Sequence, residues 1–337
     1  MPNLLRFSLR ALAIFLFICL AFRIAFFAHL FCDHAGVALT QGDVAQAHPV
    51  TGDGVRQPTI PRIIHQIFHN WTDPSNEVLP SDWKETRQTC FDLNKDWENR
   101  ARTVFSTCGL WTEKTSREFL AKEYSWFLPT YDNFKYPVQK VDALRYFAIR
   151  HFGGIYIDLD NGCTASLEPL RYYPAWVTDG GCGALSNNIL GGEPNHPYWV
   201  LMTESIIPYA WNYPLPYLTI SYATGQWFET EIWEKYHSQL PKDKPVLTRI
   251  LMDGRPGASR WVFFTQARGG TWNNWDNLLF KWIGDNLVIT IFVIIGFVAS
   301  IAVTAINVVR IAKGPWGTRK GYTGLGDLSQ KSHYRDS

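Results

Sequence analysis

A helix that must stop, two glycines and a short apolar strand ending in two acids constrain this chain more than any other stretch. From Val138 to His151, the residues Val141, Leu144, Tyr146, Phe147 and Ile149 supply the apolar positions of a helix, which Gly153-Gly154 ends. Ile155-Tyr156-Ile157 then reads as a buried strand, with Asp158-Leu159-Asp160 at its carboxyl end. Side chains alternate along a strand, so Asp158 and Asp160 lean to one side while Leu159 points into the core. Two anionic oxygen ligands in that position suit Mg²⁺ or Mn²⁺, which completes its shell with water and substrate phosphates.

A bare D-x-D is short and common, and its plain alternative is a strand-end turn with two solvated acids. Two other phosphate or metal motifs compete for the same residues. An EF-hand loop needs a Glu eleven positions after Asp158, where Pro169 stands. A haloacid-dehalogenase-type site ends the first strand of its domain and continues with Thr or Val, whereas Gly162 occupies that place here and a long polar and aromatic stretch precedes it. Around the motif, Ile60 to Phe68 reads as the first buried strand, and Trp83–Cys90, Phe91–Asn99 and Lys114–Tyr124 as alternating short helices and strands. That alternation predicts an α/β domain with a doubly wound, mostly parallel sheet, whose ligands sit at the carboxyl ends of the strands. On the preceding helix, Asp142 and Arg145 are three residues apart and share a face. They can hold a phosphate and ribose hydroxyls, or be a surface ion pair worth a few tenths of a kcal/mol.

Two apolar segments flank this region. Leu12 to Phe31 is apolar except for Arg23 and His29, and Leu287 to Ile306 is a run of 20 apolar or small residues. Each is long enough to cross about 30 Å of hydrocarbon. Arg23 is costly in the first, whose alternative is a signal peptide, but the run lacks the usual small-residue cleavage site. Arg6 and Arg10 precede the first segment, and Arg310, Lys313, Arg319 and Lys320 follow the second, so both termini are expected in the cytosol. The predicted order is a tail (1–10), a span (11–32), a luminal linker (33–60), a catalytic domain (61–284), a second span (287–309) and a disordered tail (310–337). A net charge of +2 and the lack of a basic aromatic patch argue against nucleic acid. Cys90, Cys108, Cys163 and Cys182 fall in the luminal part, and their pairing is open. Asn70-Trp71-Thr72 is a glycosylation sequon.

Several longer stretches resemble one family. They are Pro61-Arg62-Ile63-Ile64-His65-Gln66, the segment from Tyr124 to Asp132, Gln139 to Tyr146, Gly153 to Cys163, Leu185-Ser186-Asn187-Asn188 and Asn195-His196-Pro197. In order and register they resemble the fungal inositol-phosphoceramide mannosyltransferases, D-x-D glycosyltransferases related to the yeast initiating α-1,6-mannosyltransferase. The resemblance implies a GT-A fold, retaining transfer of mannose from GDP-mannose to the sphingolipid inositol phosphoceramide, Mn²⁺ or Mg²⁺, and a Golgi membrane location. It also implies a regulatory membrane subunit. By position, it implies that Asp160 binds the metal and that Asp158 meets the ribose and the metal shell. Asp142 and Arg145 would hold the nucleotide-sugar, with Arg145 also stabilising the leaving phosphate, and Gln66 would lie near the nucleotide. Two positions depart from the family pattern. Asn188 stands where the family reads Asp in Ser-Asn-Asp, beside Asn187 in the expected donor pocket. Asn273 stands where the family reads His, as a weaker and uncharged metal ligand.

Overall fold

The computed structural model describes residues 33–48, 57–97, 110–181, 183–265 and 275–312, with scattered positions of the first apolar segment. The chain divides into two units, Met1–Asp276 and Asn277–Ser337. In the first, six strands form one sheet among the described residues: β1 (Val37–Thr40), β2 (Ile64–His65), β3 (Gly154–Ile157), β4 (Ala175–Asp179), β5 (Ser186–Gly192) and β6 (Thr248–Leu251). Their order is β1-β6-β4-β5-β3-β2. The helices are α1 (Gln41–Gln46), α2 (Ser81–Leu93), α3 (Glu113–Glu123), α4 (Leu128–Asp132), α5 (Pro137–Phe152), α6 (Pro197–Tyr209), α7 (Pro216–Ala223), α8 (Gln226–Gln239), α9 (Trp275–Asp285) and α10 (Leu287–Ala312).

The sheet is mixed: five of its six strands run one way, as a mostly parallel sheet requires, and only β5 is reversed. Pairs β1–β6, β6–β4 and β3–β2 are parallel, but β5 runs antiparallel to both β4 and β3. The cause is local: the connection from Asp179 to Ser186 is too short for a crossover, and a short connection can only join antiparallel neighbours. The sheet also begins earlier than the sequence suggests. β1 and α1 lie within the expected 33–60 linker, where Thr40 and Asp43 form a capping box that starts α1. Of the predicted strand from Ile60 to Phe68, only Ile64–His65 pairs regularly, with an isolated bridge from Ile67 to Trp111. Phe91 to Leu93 ends α2 instead of forming a strand, and Lys114 to Glu123 lies in α3.

Strand alternation divides the core in two. Tyr156, Val177 and Leu190 face a cluster with Leu144, Phe147 and Trp199, while Ile157, Trp176 and Ile189 face one with Val44, Cys90 and Leu170. Helix α5 carries much of the first cluster. Pro137 begins it, the Gln139 side chain accepts from the Tyr136 N–H, and Gly153 and Gly154 end it at φ of +65° and +101°. A Cβ on Gly154 would also lie 2.7 Å from the Ile63 carbonyl oxygen, so glycine is required on both counts. His65 Nε2 meets the Gly153 carbonyl at 2.8 Å, tying β2 to the junction that aims β3.

A disulfide joins Cys90 in α2 to Cys163, three residues beyond Asp160, which decides one of the open pairings. Cys108 and Cys182 lie outside the described residues. In the second unit, the stretch Leu287–Val308 of α10 is long and apolar enough to cross a membrane. Most of the first apolar segment and the tail beyond 312 lie outside the described residues.

Candidate active site

Asp158 and Asp160 stand at the floor of a cleft of about 950 Å³. Leu159 between them, in the turn that follows β3, is buried against Phe68 and Leu110 at the edge of the same cleft. One wall comes from α5 through Asp142 and Arg145, another from β5 through Ser186, Asn187 and Asn188. A third is more apolar and includes Phe68, Trp71, Leu79 and Trp83. The turn after Asp160 is fixed from several sides. Thr265 Oγ1 accepts from the Gly162 N–H at 2.7 Å and Thr89 Oγ1 from the Cys163 N–H at 2.9 Å.

Arg145 organises the acids and is not a surface ion. Its guanidinium is buried over the Tyr156 ring, reaches Asp142 at 3.1 Å and Asp158 at 3.5 Å, and donates to the Asn187 carbonyl. Asp142 is saturated: Asn187 Nδ2 donates to one oxygen at 3.0 Å and Thr224 Oγ1 to the other at 3.1 Å, beside the Arg145 contact. Asp158 accepts from the Tyr156 hydroxyl and keeps 29% of its side chain exposed at the cleft floor. Asn188 is held by Ser186 and Thr178, whose hydroxyls donate to its Oδ1, and it donates to Asn161 at 3.3 Å.

The electrostatics follow from this burial. Desolvation pushes Asp142 up to about 6 against the opposing charge of Arg145. It pushes Asp160 to about 6 as well, with the negative charge of Asp158 adding to it. Asp158 is raised by desolvation, while Arg145 and the Tyr156 hydroxyl pull it back. Burial works against the charge of Arg145, yet Asp158, Tyr156 and Asp142 hold it above its ordinary value. Two desolvated carboxylates side by side, with the charge of Asp158 raising the proton affinity of Asp160, favour a cation beside them. Among the described residues no three His, Cys, Asp or Glu side chains form a cage. The donor set therefore fits a hard divalent ion that keeps water and takes one or two carboxylates plus phosphate oxygens. Asp158 is already engaged by Tyr156 and Arg145, which leaves Asp160 the less encumbered ligand.

The structure brings Asp142, Arg145, Asp158, Asp160, Asn187 and Asn188 together around this cleft. It does not bring Gln66 there. That side chain is buried with neither amide atom hydrogen-bonded, and Ile67 and Phe68, beyond the end of β2, line the cleft instead. Asn273 lies outside the described residues. The sequon residue Asn70 is part of the cleft wall, its side chain engaged by the Thr72 and Asp73 amides and the Asn76 carbonyl. Sequence reading missed Glu229 of α8, which is fully buried with neither oxygen hydrogen-bonded. Desolvation raises it to about 8, with Arg145 and Asp142 acting on it from nearby. A lone Glu early in a helix looks like an ordinary first-turn acid.

Residues 80–176, from α2 through β4, match the model of the glycosyltransferase sugar-binding region containing a DXD motif. Inositol phosphoceramide mannosyltransferase 2 of Schizosaccharomyces pombe is 39% identical over 237 residues, covering 70% of this chain and 64% of that protein. Mannosyl phosphorylinositol ceramide synthase SUR1 of Saccharomyces cerevisiae is 36% identical over 230 residues, covering 68% and 56%. The chain thus spans less than two thirds of the length of these two relatives. Inositol phosphoceramide mannosyltransferase 1 of S. pombe is 30% identical over 245 residues, covering 72% of this chain and 71% of that protein. Among solved structures, the PaToxG glycosyltransferase aligns at a TM-score of 0.39 and 15% identity, over 52% of this chain and 70% of that one, too loosely to carry an argument. The ordered relatives and the D-x-D region together show that the chain belongs to the inositol phosphoceramide mannosyltransferase family of DXD glycosyltransferases.

Proposed function

We propose that the protein transfers mannose from GDP-mannose to the inositol of inositol phosphoceramide, with retention of configuration, at the luminal face of a Golgi membrane. The observation that carries this reading is the cleft floor, where Asp158 and Asp160 end β3 within the buried Arg145–Asp142 network. The names of its relatives support mannose as the sugar and inositol phosphoceramide as the acceptor. Mn²⁺ or Mg²⁺, bound at Asp160 with Asp158, would supply the positive charge that stabilises a diphosphate leaving group. The protein's own part is positional and electrostatic. Arg145 aims Asp158 and, from the cleft wall, adds its charge where the phosphate oxygens develop theirs. Asp142, saturated by Asn187, Thr224 and Arg145, fixes that guanidinium and shapes the donor side of the cleft. The bond from mannose C1 to the β-phosphate oxygen breaks as the inositol oxygen bonds C1 on the same face. The inositol hydroxyl proton passes to the departing phosphate.

Membranes given labelled GDP-mannose and inositol phosphoceramide are expected to yield a labelled sphingolipid. Label found only in protein, or donor hydrolysed without a lipid product, would overturn the acceptor. Asn188, where the family resemblance implies Asp, supports a second reading in which another sugar is transferred, and turnover with UDP-sugars alone would select it. The resemblance adds a regulatory membrane subunit to the proposal, checked by co-purification from solubilised membranes.

A further inference from the structure

The connection between α6 and α7 presents a surface of unusual chemistry. No charged residue occurs between Glu204 and Glu229. Within that stretch Trp211 is 68% exposed and Ile207 45%, with Pro208 and Pro214 also at the surface. Scattered exposed apolar residues are ordinary, but a bulky cluster inside a long uncharged stretch is not. Trp, Tyr and apolar side chains together form the composition of segments that sit at the boundary between headgroups and acyl chains.

Two further observations point to a bilayer and not to another protein. Asp276 is fully buried, and its Oδ2 accepts from the backbone N–H of Tyr217 at 2.7 Å, at the start of α7. The apolar run at Leu287 begins eleven positions along the same chain, so the segment that pins this surface is the one leading to the membrane-crossing helix. The aromatic surface is also continuous with the cleft. Tyr213 packs on Tyr222 with centroids 6.1 Å apart, and Tyr222 stacks on Trp227 at 6.0 Å and 8°. Trp227 follows Gln226, a cleft-lining residue, and Ile220 and Ser221 of α7 line the same cleft.

We propose that the 207–217 connection is a lipid-docking surface, with Trp211 and Ile207 inserted at the headgroup–acyl boundary, and that it holds the mouth of the cleft at the bilayer surface. The inference deepens the proposed function, since a lipid acceptor would then reach the cleft without leaving the membrane. Its central test does not depend on sugar transfer.

An environment-sensitive fluorescent amino acid placed at position 211 of the full chain, reconstituted in phosphatidylcholine vesicles, is expected to shift to the blue. Lipids carrying a quencher near the headgroup should quench it, and aqueous iodide should not. The same probe at position 242, in the exposed charged loop before β6, should respond to iodide alone. Iodide quenching at 211 would overturn the proposal. Protection from both quenchers would overturn it too, by showing that protein covers the surface. In vesicles, a Trp211→Ser, Ile207→Ser variant is expected to raise the KM for embedded acceptor several-fold, with kcat and the KM for the nucleotide-sugar unchanged. A change confined to kcat would argue against docking even where the probe reports lipid.

Discussion

At the scale of residues, the cleft rests on three acids in different surroundings. Asp160 is the least encumbered, so Asp160→Ala should abolish transfer while expression and membrane insertion stay at wild-type levels. Wild-type turnover by that variant would remove it from the metal site. Asp142 is instead locked in a network, and Thr224→Val removes one of its donors. A buried acceptor that loses one partner costs about 1–3 kcal/mol, so a lower melting temperature and a raised donor KM are expected. Glu229 yields a pH prediction. Its folded-state value near 8 lies above that of an exposed Glu, so the folded form holds a proton that the unfolded form releases above about 4.5. The stability it contributes is complete below that pH and is lost as pH rises toward 8, at about 1.4 kcal/mol per unit. Glu229→Gln should therefore leave the melting temperature nearly unchanged at pH 5 and raise it progressively toward pH 8. A constant offset across that range would refute the assignment.

Among the elements, the turn that carries the acids is held by its neighbours more than by itself. Cys90 and Cys163 link it to α2, Thr89 of the same helix accepts from the Cys163 amide, and Thr265 accepts from Gly162. A Cβ on Gly162 would lie 2.9 Å from Thr89 Oγ1, so the turn and α2 are packed to contact. A disulfide closing 73 residues restricts the unfolded chain by about 4 kcal/mol in the loop-entropy model. Cys90→Ala with Cys163→Ala should lower the melting temperature and also raise the concentration of Mn²⁺ needed for half-maximal activation. An unchanged metal requirement would limit the bridge to global stability.

For the molecule as a whole, the expected arrangement is a luminal catalytic unit with cytosolic ends. Protease added to sealed microsomes should remove only the tails, and detergent should then open the catalytic domain (61–284) to digestion. Digestion of that domain without detergent would contradict the luminal placement. The helix over Leu287–Val308, long and apolar enough to cross a membrane, and the stretch 205–228, which holds no charged residue, are the features from which a bilayer source of acceptor is proposed.

The amino-acid sequence alone determined what depends on neighbours along the chain. The periodicity of α5, its stop at Gly153-Gly154 and the short buried strand that delivers Asp158 and Asp160 to the cleft are local, and they are present in the fold. The Leu287 helix was legible because twenty apolar residues have few other uses. Contacts between distant segments were not legible. The four-residue β1 gains its identity only from pairing with β6, and β5 reverses direction because a short turn returns it beside β4. Asp142 and Arg145 looked equally like a surface pair until burial, Asn187 and Thr224 made them the centre of a network. Spacing placed the charges on one face of a helix, but only packing decided whether that face met water or the cleft, because desolvation depends on what the rest of the chain brings alongside.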